Sequence, residues 1–90
     1  MALQILNAPG RDPRDIAKQM HERIAQAIPG ATIDIEAAGP GHFEITVTSE
    51  AFEGKSRIQQ QQLVYSAITE LMAGAAPPVH AVDQLRCLTP

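Results

Sequence analysis

The 90-residue sequence predicts an α+β domain with the element order α-β-β-α-β and a three-stranded sheet. Three observations predict it. An apolar stripe repeats every four residues from Ile16 to Ile28. Two stretches that alternate apolar and polar residues flank Gly39-Pro40-Gly41, and a second helical stretch, apolar at Val64, Ala67, Ile68 and Leu71, leads into a strand-like run ending at Leu88.

Residues 1–11 have no periodicity and read as a flexible N-terminal arm, which leaves residues 12–90 as the domain. Asp12 stands as an N-cap before Pro13 at the first helical position, and Asp15 favours the positive end of the helix dipole. The inward stripe of this helix is Ile16, Met20, Ile24 and Ile28, and Pro29-Gly30 stops it. His21 lies beside the stripe as a boundary residue. From Thr32 to Ala37 the period falls to two, with Ile33 and Ile35 on the side opposite Asp34 and Glu36. After the Gly39-Pro40-Gly41 turn, Phe43, Ile45 and Val47 alternate with Glu44, Thr46 and Thr48, so the two strands predict an antiparallel hairpin. Ser49 to Lys55 connects to a second helix starting near Ser56, and Gly74 to Pro78 ends it. Val79 to Leu88 has the composition of a third strand, but Asp83, Gln84 and Arg86 spoil its alternation and predict an edge position or a bulge. The predicted core is Ile16, Met20, Ile24, Ile33, Ile35, Phe43, Ile45, Val47, Val64, Ile68 and Leu71.

Strand two, helix two and strand three form a crossover unit, and such units join parallel strands with right-handed connections. The starts of strands two and three therefore share one end of the sheet. His42 opens the former and His80 lies near the start of the latter, so these two histidines are expected at the same end, on backbones about 4.8 Å apart if the strands are neighbours. Which face each ring takes is open, because the parity of strand three is not fixed by its sequence.

Composition narrows the function. A chain this short buries only about 60% of its unfolded surface, which leaves no room for a large enclosed active site. An apolar content of 44% is that of a folded domain. The net charge of -3, with seven scattered basic residues, gives no footprint for a phosphate backbone. No apolar run reaches the roughly 18 residues of a membrane span, and one cysteine, Cys87, cannot form an internal disulfide. No charged-then-apolar leader is read, so the cytoplasm is the expected address. No enzyme is expected: no nucleophile is paired with a base, no zinc-type spacing occurs, and no phosphate-cradling glycine loop precedes a helix. Ser49, Ser56 and Ser66 read as loop, cap and helix-surface residues, and Cys87 as a small packed hydrophobe. On their own, His42 reads as a loop residue and His80 as a strand-end residue bonded to a carbonyl. Only their expected approach raises the pair above that.

His42-Phe43, the run FEGKSRIQQQQLVY from Phe52 to Tyr65, Val79-His80-Ala81-Val82 and Thr89-Pro90 resemble, in order and spacing, the signatures of BolA-like proteins. The resemblance covers the chain after Arg14. It implies the same α-β-β-α-β order, a mixed sheet with both helices on one face, and a type II KH-like fold. It further implies a heterodimer with a monothiol glutaredoxin that shares a [2Fe-2S] cluster, a homodimer being the other assembly open to the chain. The other cluster ligands are then a glutaredoxin cysteine and a glutathione thiolate, and this chain's are His80 and, from the loop before strand two, His42. A lone copy would hold no cluster, since four ligands are needed and His42, His80 and Cys87 fall short.

Two departures stand out. Gln60-Gln61-Gln62 replaces the Arg-His-Arg of many relatives, as in the IbaG (YrbA) branch, and amides cannot neutralise phosphates. The stretch from His80 to Thr89 is slightly longer than in the family pattern. The alternative function, a nucleic-acid-binding transcriptional regulator, would rest on Lys55 and Arg57, and it lacks the Gly-x-x-Gly loop with which KH domains clamp a backbone.

Overall fold

The computed structural model describes residues 12–90, so the arm expected over residues 1–11 lies outside the described residues. Asp12 caps helix α1 (Pro13–Ala27), its carboxylate accepting from the Arg14 amide at 2.8 Å, while Pro13 fills a first-turn position where an N–H has no intrahelical partner. The Arg14 guanidinium bonds the same carboxylate, and together with the backbone donor it holds Asp12 below the usual carboxylate range.

Strands β1 (Thr32–Gly39) and β2 (His42–Thr48) pair antiparallel, with Ile33 opposite Val47 and Ile35 opposite Ile45. Pro40-Gly41 makes the turn. Proline cannot take the positive φ that the commonest hairpin turn demands at both centres, so Pro40 keeps its fixed negative φ and Gly41 carries +76°, the sign that a type II turn needs at its second centre. A register shift between Ala37 and Gly39 adapts the strand to that turn.

Ser49 then caps a short 3₁₀ turn (Glu50–Phe52), accepting from the Ala51 amide at 3.0 Å. Helix α2 (Arg57–Ile68) opens with a reciprocal box: the Ser56 hydroxyl accepts from the Gln59 amide, and the Gln59 side chain accepts from the Ser56 amide. A second 3₁₀ turn (Thr69–Met72) extends it. Strand β3 (Ala81–Leu88) returns parallel to β2, which gives the order β1-β2-β3 with β2 central. Both the crossover and the edge position of β3 follow the sequence expectation.

Phe43, Ile45 and Val47 point from β2 into a cluster with Ile16, Met20, Ile24 and Ile28 of the first helical segment and with Val64, Ile68 and Leu71 of the second. The opposite face carries Asp34, Glu36, Glu44, Thr46, Gln84 and Arg86, none of them buried. Both helices therefore cover one face, and the other is open. The core differs from the expected list in five residues, one of them Ile28, which ends the α1 stripe and is buried with it. Ile33 and Ile35 are only half-buried, because β1 is an edge strand paired with β2 on one side only, and α1 covers its inner face incompletely. Phe52 and Val79 are fully buried although neither lies in a periodic stretch. The 3₁₀ turn swings Phe52 inward, and the Val79 amide, donating to the Leu71 carbonyl at 3.1 Å, ties the chain entering β3 to the end of the helical segment. Among the described residues no helix is long and apolar enough to cross a membrane.

Candidate functional site

Two histidines stand at the end of the sheet where β2 and β3 both begin. His42 is the first residue of β2 and pairs with Ala81, the first residue of β3. The His80 amide donates to the Gly41 carbonyl at 2.8 Å, and the Ala81 amide donates to the same oxygen at 3.1 Å. One carbonyl in the hairpin turn thus fixes the chain at His80 one residue away from His42. The structure brings both expected residues to one end and leaves both exposed.

Their rings take different surroundings. A Cβ on Gly41 would stand 2.7 Å from Cδ2 of His80, so the imidazole lies directly over the glycine. From there it borders a groove of about 580 Å³ lined chiefly by Pro13, Ile16, Pro40, Pro77 and Pro78, a wall of rigid apolar side chains. His42 does not line that groove. Strand parity turns it away from its buried neighbour Phe43, and its Nδ1 lies 2.9 Å from an oxygen of Asp83, with the two side chains 47% and 41% exposed. Among the described residues no side chain hydrogen-bonds the His80 ring.

Asp83 reaches His42 because of a bulge. Phe43 pairs with Val82 but Glu44 pairs with Gln84, so Asp83 is an extra residue of β3 with no partner on β2. One inserted residue would turn every later side chain to the other face. The bulge absorbs it by sending Asp83 and Gln84 both outward, while Val82 and Leu85 both pack on the core. This accounts for the broken alternation read in the sequence.

The polar side chains at this end are the imidazoles of His42 and His80 and the Asp83 carboxylate that His42 engages. Cys87 lies towards the far end of β3, half-buried, with burial pushing its thiol up from the ordinary value. Among the described residues no group of three histidine, cysteine or acidic side chains could hold a metal ion. The serines are engaged otherwise: Ser49 and Ser56 cap helical turns, and the Ser66 hydroxyl donates to the Leu63 carbonyl at 3.0 Å.

Lys55 and Arg57, the residues considered for nucleic acid, are exposed at the start of α2. Arg57 shares a depression with Arg86, a third basic residue beside the two considered for nucleic acid. The glutamine run next to them is in part structural. The Gln60 side-chain Nε2 donates to the carbonyls of Phe52 at 2.9 Å and Lys55 at 3.3 Å, pinning the loop that carries the FEGKS segment. Sequence reasoning also missed Asp83 as a functional neighbour. Its only signal was the spoiled alternation.

Residues 16–90 match the family model described as BolA-like protein. A stretch of 58 residues, 63% of this chain and 66% of the relative, is 34% identical to the acid stress protein IbaG of Escherichia coli K12. Another of 48 residues, 53% of this chain, is 42% identical to BolA-like protein 1 of the mouse, of whose length the match spans 33%. Among solved structures, BolA1 from Arabidopsis thaliana superposes with a TM-score of 0.69 at 25% identity, covering 82% of this chain and 90% of that one.

Proposed function

Because this chain belongs to the BolA-like protein family, we propose that it is a non-enzymatic partner of a monothiol glutaredoxin, contributing His80 and His42 to a shared [2Fe-2S] cluster and serving iron-sulfur trafficking or iron and stress regulation. The observation that carries this is that the Gly41 carbonyl ties the backbone at His80 beside the start of β2, so that His42 and His80 stand exposed at one end of the sheet. A site that supplies two ligands and must borrow two is suited to holding a cluster between proteins rather than keeping one. When bound, the cluster is an inorganic cargo that can accept an electron or be passed on.

The protein's own part is to present donors. The hairpin turn and the start of β3 hold the two histidine backbones together, and the proline-lined groove beside His80 offers an apolar surface next to the ligand. Neutral imidazoles in place of thiolates leave a shared cluster less negative and raise its reduction potential relative to all-thiolate ligation. The name of the similar acid stress protein supports a stress-linked role. The cytoplasm, where free thiols such as Cys87 persist, is the proposed compartment.

The experiment mixes the purified chain with a monothiol glutaredoxin, ferrous iron, sulfide and glutathione. A heterodimer on size exclusion with charge-transfer absorption distinct from that of the glutaredoxin alone is expected. His80→Ala and His42→Ala should each alter that spectrum and shorten the life of the complex. If the double variant keeps the wild-type spectrum and lifetime, the ligand assignment is wrong.

A further inference from the structure

We infer that Asp83 is a positioning residue for His42: from the β3 bulge it holds the neutral imidazole as the Nδ1–H tautomer and leaves Nε2 as the outward lone pair. This deepens the proposed function and rests on the reading of His42 as a ligand.

The argument begins with hydrogen-bond chemistry. An ionised carboxylate can only accept, so an Asp83 oxygen 2.9 Å from Nδ1 requires the proton on Nδ1. A free neutral histidine carries its proton mainly on Nε2, so the contact inverts the intrinsic preference. Only the nitrogen without a proton has a lone pair to give, and here that is Nε2. The same division of labour, one ring nitrogen donating to a carboxylate and the other bound to metal, orients ligating histidines generally. His80 has no such partner among the described residues; its orientation comes from resting on Gly41.

The bulge makes this economical. Asp83 has no ladder partner on β2, and Gln84 to Leu88 keep their pairing with Glu44 to Thr48 beyond it. The side chain at this position is therefore free to serve the neighbouring histidine without a part in the core.

The test reads the tautomer directly in the apo chain, by long-range ¹H–¹⁵N correlation of the His42 ring at about pH 8.5, some two units above the ordinary imidazole pKa of about 6.5. Wild type is expected to show the Nδ1–H form. Asp83→Ala should shift His42 to mainly Nε2–H, whereas Asp83→Asn, whose side-chain carbonyl can still accept, should restore Nδ1–H. An Nε2–H wild type, or an Asp83→Ala variant with an unchanged tautomer, overturns the inference. A second arm follows the glutaredoxin complex, in which Asp83→Ala is expected to weaken retention of the cluster by about 10- to 100-fold. If His42→Ala weakens retention and Asp83→Ala does not, the inference fails while the ligand reading stands. If the tautomer responds as expected but His42→Ala leaves the complex unchanged, the positioning of the ring by Asp83 is upheld and the ligand reading fails.

Discussion

At the scale of single residues, Gly41 does two things that separate cleanly. Its φ of +76° is a conformation that other residues adopt only at a cost, and the space where its side chain would be is filled by the His80 ring. Gly54 has the same φ of +76° with nothing within 4 Å of a built Cβ. Gly54→Ala should therefore cost the backbone strain alone, about 1 to 3 kcal/mol. Gly41→Ala should cost more in urea titration and should also move the His80 ring resonances, which Gly54→Ala should leave in place. Equal costs and an unmoved His80 would mean that the ring does not depend on the glycine. His42 and His80 were legible in the sequence as residues of one sheet end, because topology alone fixes where parallel strands begin. Asp83 was not, because its role comes from a shift in pairing that period-two counting registers only as noise.

The elements divide by how fully they are covered. β2 has helices over one face and a strand on each side, so Ile45 is completely buried; β1 sits at the edge, and Ile33 is only half-covered. Ile45→Ala is expected to cost about 2 to 5 kcal/mol and Ile33→Ala about 1 to 2, read from denaturation midpoints at constant slope. A cost for Ile33 as large as that for Ile45 would mean that something else buries β1 in solution. The alternation of both strands was plain in the sequence, and so was the α1 stripe with its Asp12-Pro13 start. Alternation tells which face a side chain takes but not whether a strand is central, and that is why Ile33 and Ile35 were ranked with Ile45. Phe52 and Val79 escaped for a different reason: each is buried by a single turn or tether, and one residue has no period.

For the molecule as a whole, the net charge of -3 and the open sheet face, where Asp34, Glu36 and Glu44 lie beside Arg86, oppose a nucleic-acid backbone. Lys55, Arg57 and Arg86 can neutralise only a few phosphates. Affinity for duplex DNA is expected to be weak and to vanish near physiological salt, falling with a log–log slope no steeper than about -3. Sequence-specific binding tighter than micromolar at about 150 mM salt would bring the regulator function to the fore. The same architecture also governs when the site comes into being. The β1–β2 hairpin closes through two residues, but the parallel pairing of β2 with β3 joins segments about forty residues apart in the chain, and closing so long a loop costs entropy that only the finished core repays. A half-folded chain can carry His42 at the tip of its hairpin while His80 is still elsewhere. The juxtaposition of His42 and His80 is thus a property of the completed fold, absent from a nascent or damaged copy.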